Sequence, residues 1–181
     1  MKNSFIIGKR LYLRPVSNED VNERYLCWLN DPSVLELRSR KVFPADIADI
    51  EAFRNKQKTS GFIHLAIVLR EDDRHIGNIT LGPINWYHRH GEVSILIGEK
   101  DAWGKGYGRE AVFLISKHAF ENANLHRVWS ASVNPAFIRI VKYLGWEKEG
   151  EYREALWCKD KYLSVEVYSI LKKEFIENMS L

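Results

Sequence analysis

Trp103-Gly-Lys-Gly-Tyr-Gly-Arg-Glu-Ala111 joins an apolar run, Glu92-Val-Ser-Ile-Leu-Ile-Gly98, to a segment of helical spacing that begins at Tyr107. Glycines at 104, 106 and 108 let the backbone turn tightly and leave room beside it. The first-turn N–H groups of the following helix point into that room and carry partial positive charge. Lys105 and Arg109 add full charges. Strand, glycine turn and helix N-terminus in this order suit a phosphate or diphosphate, although a strand-to-helix turn also needs glycine for steric reasons alone.

Gly106-x-Gly108-x-x-Ala111 also fits the dinucleotide pattern G-x-G-x-x-G/A. That pattern needs a carboxylate ~20 residues on, at the end of a second parallel strand. Here His126 and Arg127 stand near that distance and Glu121 falls within the helix. The strand is moreover expected between antiparallel neighbours rather than at the head of a βαβ unit. No G-x-x-x-x-G-K-[ST] string occurs, which excludes a Walker loop.

Working outward, Arg10 to Pro15 alternates apolar and basic residues as a strand with one wet face does. Val21 to Leu29 has helical spacing, with Ser17 or Asn18 as its cap and Asn30-Asp31-Pro32 as its stop. A second helix is predicted from Pro44 to Lys58. Strands are predicted over 62–69, 76–84, 92–98, 127–133, 146–156 and 162–171, and helices over 107–122 and from Asn134-Pro135 to Gly145. The order implies a mixed α/β (α+β) fold with a largely antiparallel sheet flanked by helices.

The length of 181 residues, with 45% hydrophobic and 28% charged, fits one domain, 1–181, and excludes a disordered chain. A net charge of +3 gives no argument for wrapping nucleic acid, and no nucleic-acid partner is expected, although a local basic patch could hold a phosphate-bearing ligand. Cys27 and Cys158 are too few for a disulfide framework and show no metal spacing, so no metal is expected. Met1 to Arg10 has no signal-peptide run and no stretch approaches a membrane span, so a cytoplasmic protein without membrane partners is expected.

The run Glu92 to Ala111, followed by Asn134-Pro-Ala-x-x-Arg139 and Gly145-Trp146, resembles the GNAT superfamily of acetyl-CoA-dependent N-acetyltransferases. Within it, the likeness is to the branch of ribosomal-protein N-terminal and small-molecule amine acetyltransferases. The family's [Q/R]-x-x-G-x-[G/A] motif maps onto Trp103-x-x-Gly106-x-Gly108, with Trp103 in the place of Gln or Arg. The resemblance implies acetyl-CoA as co-substrate, no metal, and a strand 93–98 that splays from strand 127–133 to open a V-shaped cleft. It implies a cofactor cradle at Trp103, Gly104, Lys105, Gly106, Tyr107, Gly108 and Arg109. Backbone groups near Leu96, Ile97 and Gly98 would pair with the pantetheine arm, one N–H polarising the thioester carbonyl. Asn134 reads either as a contact to that arm or as a helix cap.

Acetyl transfer needs a neutral nitrogen, so a base must take a proton from an alkylammonium. Glu92, at the start of the cleft strand, is the candidate. The family's usual Tyr acid falls at Val141, and Tyr143 lies roughly 200° further around the helix. That leaves water or a hydroxyl such as Ser132 to protonate the thiolate. Trp28, Trp86, His88 and His90 are candidate acceptor-binding residues, whereas His64, His118 and His126 read as structural. Tyr25, Trp28, Arg38, Arg40, Trp86 and Arg153 would form an aromatic-plus-Arg wall suited to a nucleotide-linked amino sugar. A peptide N-terminus is the alternative acceptor, a polyamine is disfavoured by the mild positive charge, and a catalytically inactive acyl-CoA-binding module is the alternative role. A monomer or homodimer is expected.

Overall fold

The computed structural model describes residues 3–37, 43–57 and 61–179. Its elements are β1 (Ile6–Ile7), β2 (Leu11–Pro15), α1 (Glu23–Asn30), α2 (Pro32–Leu35), α3 (Ile47–Gln57), β3 (Ile63–Leu69), β4 (His75–Asn85) and β5 (His90–Ile97). There follow α4 (Tyr107–Glu121), β6 (Arg127–Ser132), α5 (Pro135–Tyr143), β7 (Glu147–Cys158), β8 (Lys161–Leu171) and α6 (Lys172–Met179). The strands form one sheet in the order β1-β2-β3-β4-β5-β6-β8-β7. Every neighbouring pair is antiparallel except β5 and β6. The sheet is thus mixed and largely antiparallel, as its sequence pattern predicts.

The exceptional pair sets up the site. β5 and β6 run parallel through His90–Arg127, Gly91–Val128 and Glu92–Trp129. Beyond Glu92 the pairing stops, and the strands part. α4 connects these two strands, so β5–α4–β6 is a βαβ unit. The expectation that β5 lacks that role is corrected: antiparallel pairing holds on the β4 side only.

Alternation along β5 divides the core. Val93, Ile95 and Ile97 pack into the main cluster with α4 residues such as Ala111 and Ile115. Leu96 faces the opposite way and joins Tyr25 and Trp28 of α1 and Ile50 of α3. Glu92 and Ser94, four and two residues before Leu96, share its face. Gly108 allows the close approach on the α4 side, since a Cβ there would stand 3.2 Å from Ile140 Cδ1.

Local signals explain the boundaries. Asn22, not Ser17 or Asn18, caps α1, its Oδ1 accepting from Tyr25 N at 3.1 Å. Asp20 is the reason: its carboxylate accepts from Ser17 N at 2.7 Å and closes a separate one-turn 3-10 helix, Asn18–Asp20. Asn134 caps α5 through Ala136 N at 2.9 Å. Gly145, at φ 78°, ends that helix, with Trp146 N donating to Val141 O at 2.9 Å. β1, α2 and α6 are additions to the sequence reading; Lys58 lies outside the described residues.

Candidate active site

A cleft of about 1100 Å³ opens where β5 and β6 diverge, between the ends of these strands, the 103–109 loop, α5 and the β7–β8 hairpin. Its floor is the edge of β5. Gly98 N donates to Ile76 O at 2.9 Å, which turns the backbone groups of Gly98 toward β4. Leu96, opposite Asn78, has the same orientation by the alternation of an antiparallel ladder. A Cβ on Gly77 would lie 2.1 Å from Leu96 O, which places that carbonyl on the β4 side. The backbone groups of Ile95 and Ile97 therefore face the cleft. The expectation for Leu96 and Gly98 is corrected accordingly: β4 already uses their hydrogen bonds.

The loop completes this wall. A 3-10 turn, Lys100–Ala102, leads to Trp103, whose indole Nε1 donates to Ile97 O at 2.9 Å. Gly104 and Gly106 take left-handed φ values of 74° and 83°, which side chains resist. Gly106 is the N-cap of α4, and no side chain caps that terminus. Glu110 N is the first to find a helical partner, Gly106 O at 3.1 Å, so the amides of Tyr107, Gly108 and Arg109 have no partner within the helix. A Cβ at Gly104 would meet nothing within 4 Å. An uncapped helix end with open space before it fits an anion, and Lys105 and Arg109 line the cleft beside it. Tyr107 instead turns away, its ring under the Arg10 guanidinium at 4.8 Å.

The chain matches the family model for the acetyltransferase (GNAT) domain over residues 10–147. It belongs to the GNAT acetyltransferases. Among its relatives, it is 29% identical over 176 residues to the uncharacterized N-acetyltransferase YnaD of Bacillus subtilis, covering 94% of this chain and 98% of that protein. It is 28% identical over 173 residues to the uncharacterized N-acetyltransferase p20 of Bacillus licheniformis, covering 92% and 96%. The spermidine N-acetyltransferase of Vibrio cholerae, solved with CoA and spermine, shares the fold with a TM-score of 0.84 at 21% identity, over 93% of this chain and 99% of that one. This GNAT protein is accordingly an acetyl-CoA-dependent N-acetyltransferase, an acyltransferase enzyme. No helix of its described residues is long and apolar enough to cross a membrane.

Glu92 stands at the last parallel pair, opposite Trp129, just where the strands separate, and it is not among the residues that line the cleft itself. It is half-buried, and burial pushes its carboxyl above the ordinary value. Among the described residues no hydrogen bond or ion pair engages it. Val141 is fully buried, so the usual acid position faces the core. Tyr143 is exposed at the cleft rim, with the Arg109 guanidinium 4.4 Å from its ring centre. Ser132 lines the cleft, its Oγ accepting from Asn134 N at 3.1 Å. Asn134 also lines it while capping α5.

The aromatic and histidine candidates are dispersed. Trp28 is buried, and a Cβ on Gly98 would fall 2.0–2.5 Å from its ring atoms. Its Nε1 donates to Glu99 Oε1 at 3.2 Å, so it is a packing residue rather than part of an open wall. Tyr25 is buried beside it. Trp86 and His88 lie in the exposed turn between β4 and β5, at the end of β5 away from the loop. His90 opens β5, and its ring stacks parallel to that of His88 at 6.4 Å. None of Trp28, Tyr25, Trp86, His88 and His90 lines the cleft. Arg38 and Arg40 lie outside the described residues, and Arg153 is exposed on β7. His64 Nδ1 bonds Thr80 Oγ1 at 2.7 Å, and burial pushes its pKa down to about 4, so it is neutral.

Apolar side chains from segments far apart in sequence also line the cleft. Among them are Val34 of α2, Leu37 of the turn after it, Leu156 of β7 and Val165 of β8. Cys158 Sγ donates to Glu36 O at 3.3 Å, and Lys159 pairs with the Glu36 carboxylate, so the hairpin is fastened to α2 at this point. These contacts span more than 120 residues of sequence, and no local pattern announces them.

Proposed function

We propose that the chain moves the acetyl group of acetyl-CoA to the primary amine of a small molecule with an apolar body. The parting of β5 from β6 directly in front of the uncapped α4 N-terminus carries this reading. The amides of residues 104–109, with Lys105 and Arg109, hold the diphosphate. The cleft-facing edge of Ile95 and Ile97 pairs with the donor arm, and an N–H of that edge polarises the thioester carbonyl. Glu92, acting directly or through water, takes the ammonium proton. The neutral nitrogen attacks the carbonyl carbon, the C–S bond breaks, and the proton that the nitrogen sheds as the amide forms reaches the departing thiolate through water or a cleft hydroxyl such as Ser132.

The apolar wall of Val34, Leu37, Leu156 and Val165 supports an aliphatic or aromatic amine over a nucleotide-linked amino sugar, whose stacking wall would have needed Tyr25 and Trp28 in the open. A spermidine acetyltransferase among the structural neighbours is consistent with an amine on a methylene chain. One domain, 1–181, performs the reaction. The test is release of free CoA thiol from acetyl-CoA with a panel of amines. Turnover with alkyl and arylalkyl amines exceeding that with amino sugars supports the proposal. Acetyl-CoA binding without turnover of any amine points instead to an acyl-CoA-binding module.

A further inference from the structure

Arg10 enters the sequence pattern only as the first residue of a strand, yet it is tied to the glycine loop from far along the chain. Its Nη1 donates to Lys105 O at 2.8 Å across 95 residues of sequence. Its Nε donates to Glu110 Oε2 at 3.0 Å and its backbone N to Glu110 Oε1 at 2.8 Å. The Tyr107 ring supports the guanidinium at 4.8 Å. Glu110 is itself well enclosed, its side chain 14% exposed. Gly8 makes space for it, since a Cβ there would stand 2.6 Å from Glu110 Oε1. One fork therefore joins the start of β2, the first turn of α4 and the loop before it.

We infer that Arg10, clamped by Glu110, is a positioning residue that presents the loop amides to the donor diphosphate; this rests on the reading of residues 104–109 as the diphosphate cradle. The two ends of a trans peptide point opposite ways. Holding Lys105 O toward Arg10 therefore turns Gly106 N–H to the other side of the loop. Lys105 and Gly106 line the cleft while Arg10 stands behind them, outside its wall. Glu110 adds a second reason. A carboxylate in the first turn of an anion-binding helix repels the anion, and Arg10 neutralises it. The fork thus both sets the peptide plane and removes an opposing charge.

The experiment compares CoA with pantetheine, which lacks the diphosphate, by calorimetry on the full chain, alongside turnover of S-acetylpantetheine. The wild type should bind CoA far more tightly than pantetheine; equal affinity would dispose of the cradle itself, whatever Arg10 does. Given that preference, Arg10→Ala should weaken CoA binding ~10-fold or more, the scale of one charge-assisted hydrogen bond. Pantetheine affinity and kcat/KM for S-acetylpantetheine should stay at wild-type level. Loss of affinity for both ligands alike would show a general folding role and overturn the inference, as would an unchanged CoA preference. Arg10→Lys keeps the charge and loses the fork, and serves also where the alanine variant does not fold. It should remain several-fold weaker for CoA, whereas full recovery would mean that charge alone matters and that no peptide plane is being set.

Discussion

The two walls of the cleft are made of different material. The wall proposed for the donor is mostly main chain: the uncapped amides at the head of α4, two left-handed glycines and the free edge of β5, with Lys105 and Arg109 beside them. The wall proposed for the acceptor is side chain: Val34, Leu37, Leu156 and Val165, held by the hairpin's attachment to α2, with Glu92 beside Trp129 where the strands part. A backbone site recognises what all donors of one kind share, and a few glycines within a dozen residues suffice to build it. A side-chain site recognises what differs between acceptors and depends on how distant segments pack. The difference implies that substitutions on the acceptor wall change turnover, whereas those on the donor wall change donor affinity.

The largest effect is expected at Glu92. Glu92→Gln removes the base while keeping the shape, and general-base catalysis is commonly worth ~10²–10⁴-fold. Turnover with the best amine should fall by that order, and calorimetry with CoA should show donor affinity unchanged. As the proposed base Glu92 must be a carboxylate, and burial holds its pKa above the ordinary value. Activity in wild type should therefore rise with pH through a limb displaced upward from that of a free carboxyl group. In Glu92→Gln the kcat/KM profile should lose this limb. Unchanged turnover would remove Glu92 from the mechanism.

Gly106→Val is the counterpart on the donor wall. Valine at φ 83° costs ~1–3 kcal/mol of strain, and its Cβ would meet Arg10 Nη2 at 3.3 Å. The loop must shift, and with it the amides that face the phosphates. CoA affinity should drop ~10–100-fold, the value of one or two charge-assisted hydrogen bonds. Wild-type affinity in this variant would show that the loop amides do not hold the donor.

The same division explains what the sequence could reveal. The strand–turn–helix around Gly104–Gly108, the Asn134 cap and the Gly145 stop are each written within a few neighbouring residues, and the order of the main strands follows from alternation. Three features were not legible. The parallel β5–β6 pair depends on where α4 returns the chain. The hydrogen-bonding phase of β5, which exposes Ile95 and Ile97 rather than Leu96 and Gly98, is set by β4 through the Gly98–Ile76 bond. The role of Trp28 was ambiguous because an aromatic at helical spacing serves a core and a ligand wall equally well. Only its packing on Gly98 decides the matter.

Gly98→Ala carries the smallest expected effect and separates packing from binding at the boundary of the two walls. Its Cβ would fall 2.0–2.5 Å from the Trp28 ring, so the indole must move or the strand must bend. Trp28 cannot move freely: it packs with Tyr25, Ile50 and Leu96, its ring centre is 5.0 Å from that of His75, and its Nε1 is bonded to Glu99. Overpacking of this kind costs ~1–3 kcal/mol, to be read as a lowered denaturant midpoint. Because Gly98 N–H is given to Ile76 rather than to the cleft, CoA affinity should stay within about twofold, less than the loss of even a weak net hydrogen bond. A second change, Trp28→Leu in the Gly98→Ala background, should cost less than the sum of the two single changes, since the smaller side chain relieves the collision. If instead CoA affinity falls in Gly98→Ala while stability holds, then the backbone at Gly98 belongs to the donor wall and the hydrogen-bonding phase of β5 is the opposite of that described.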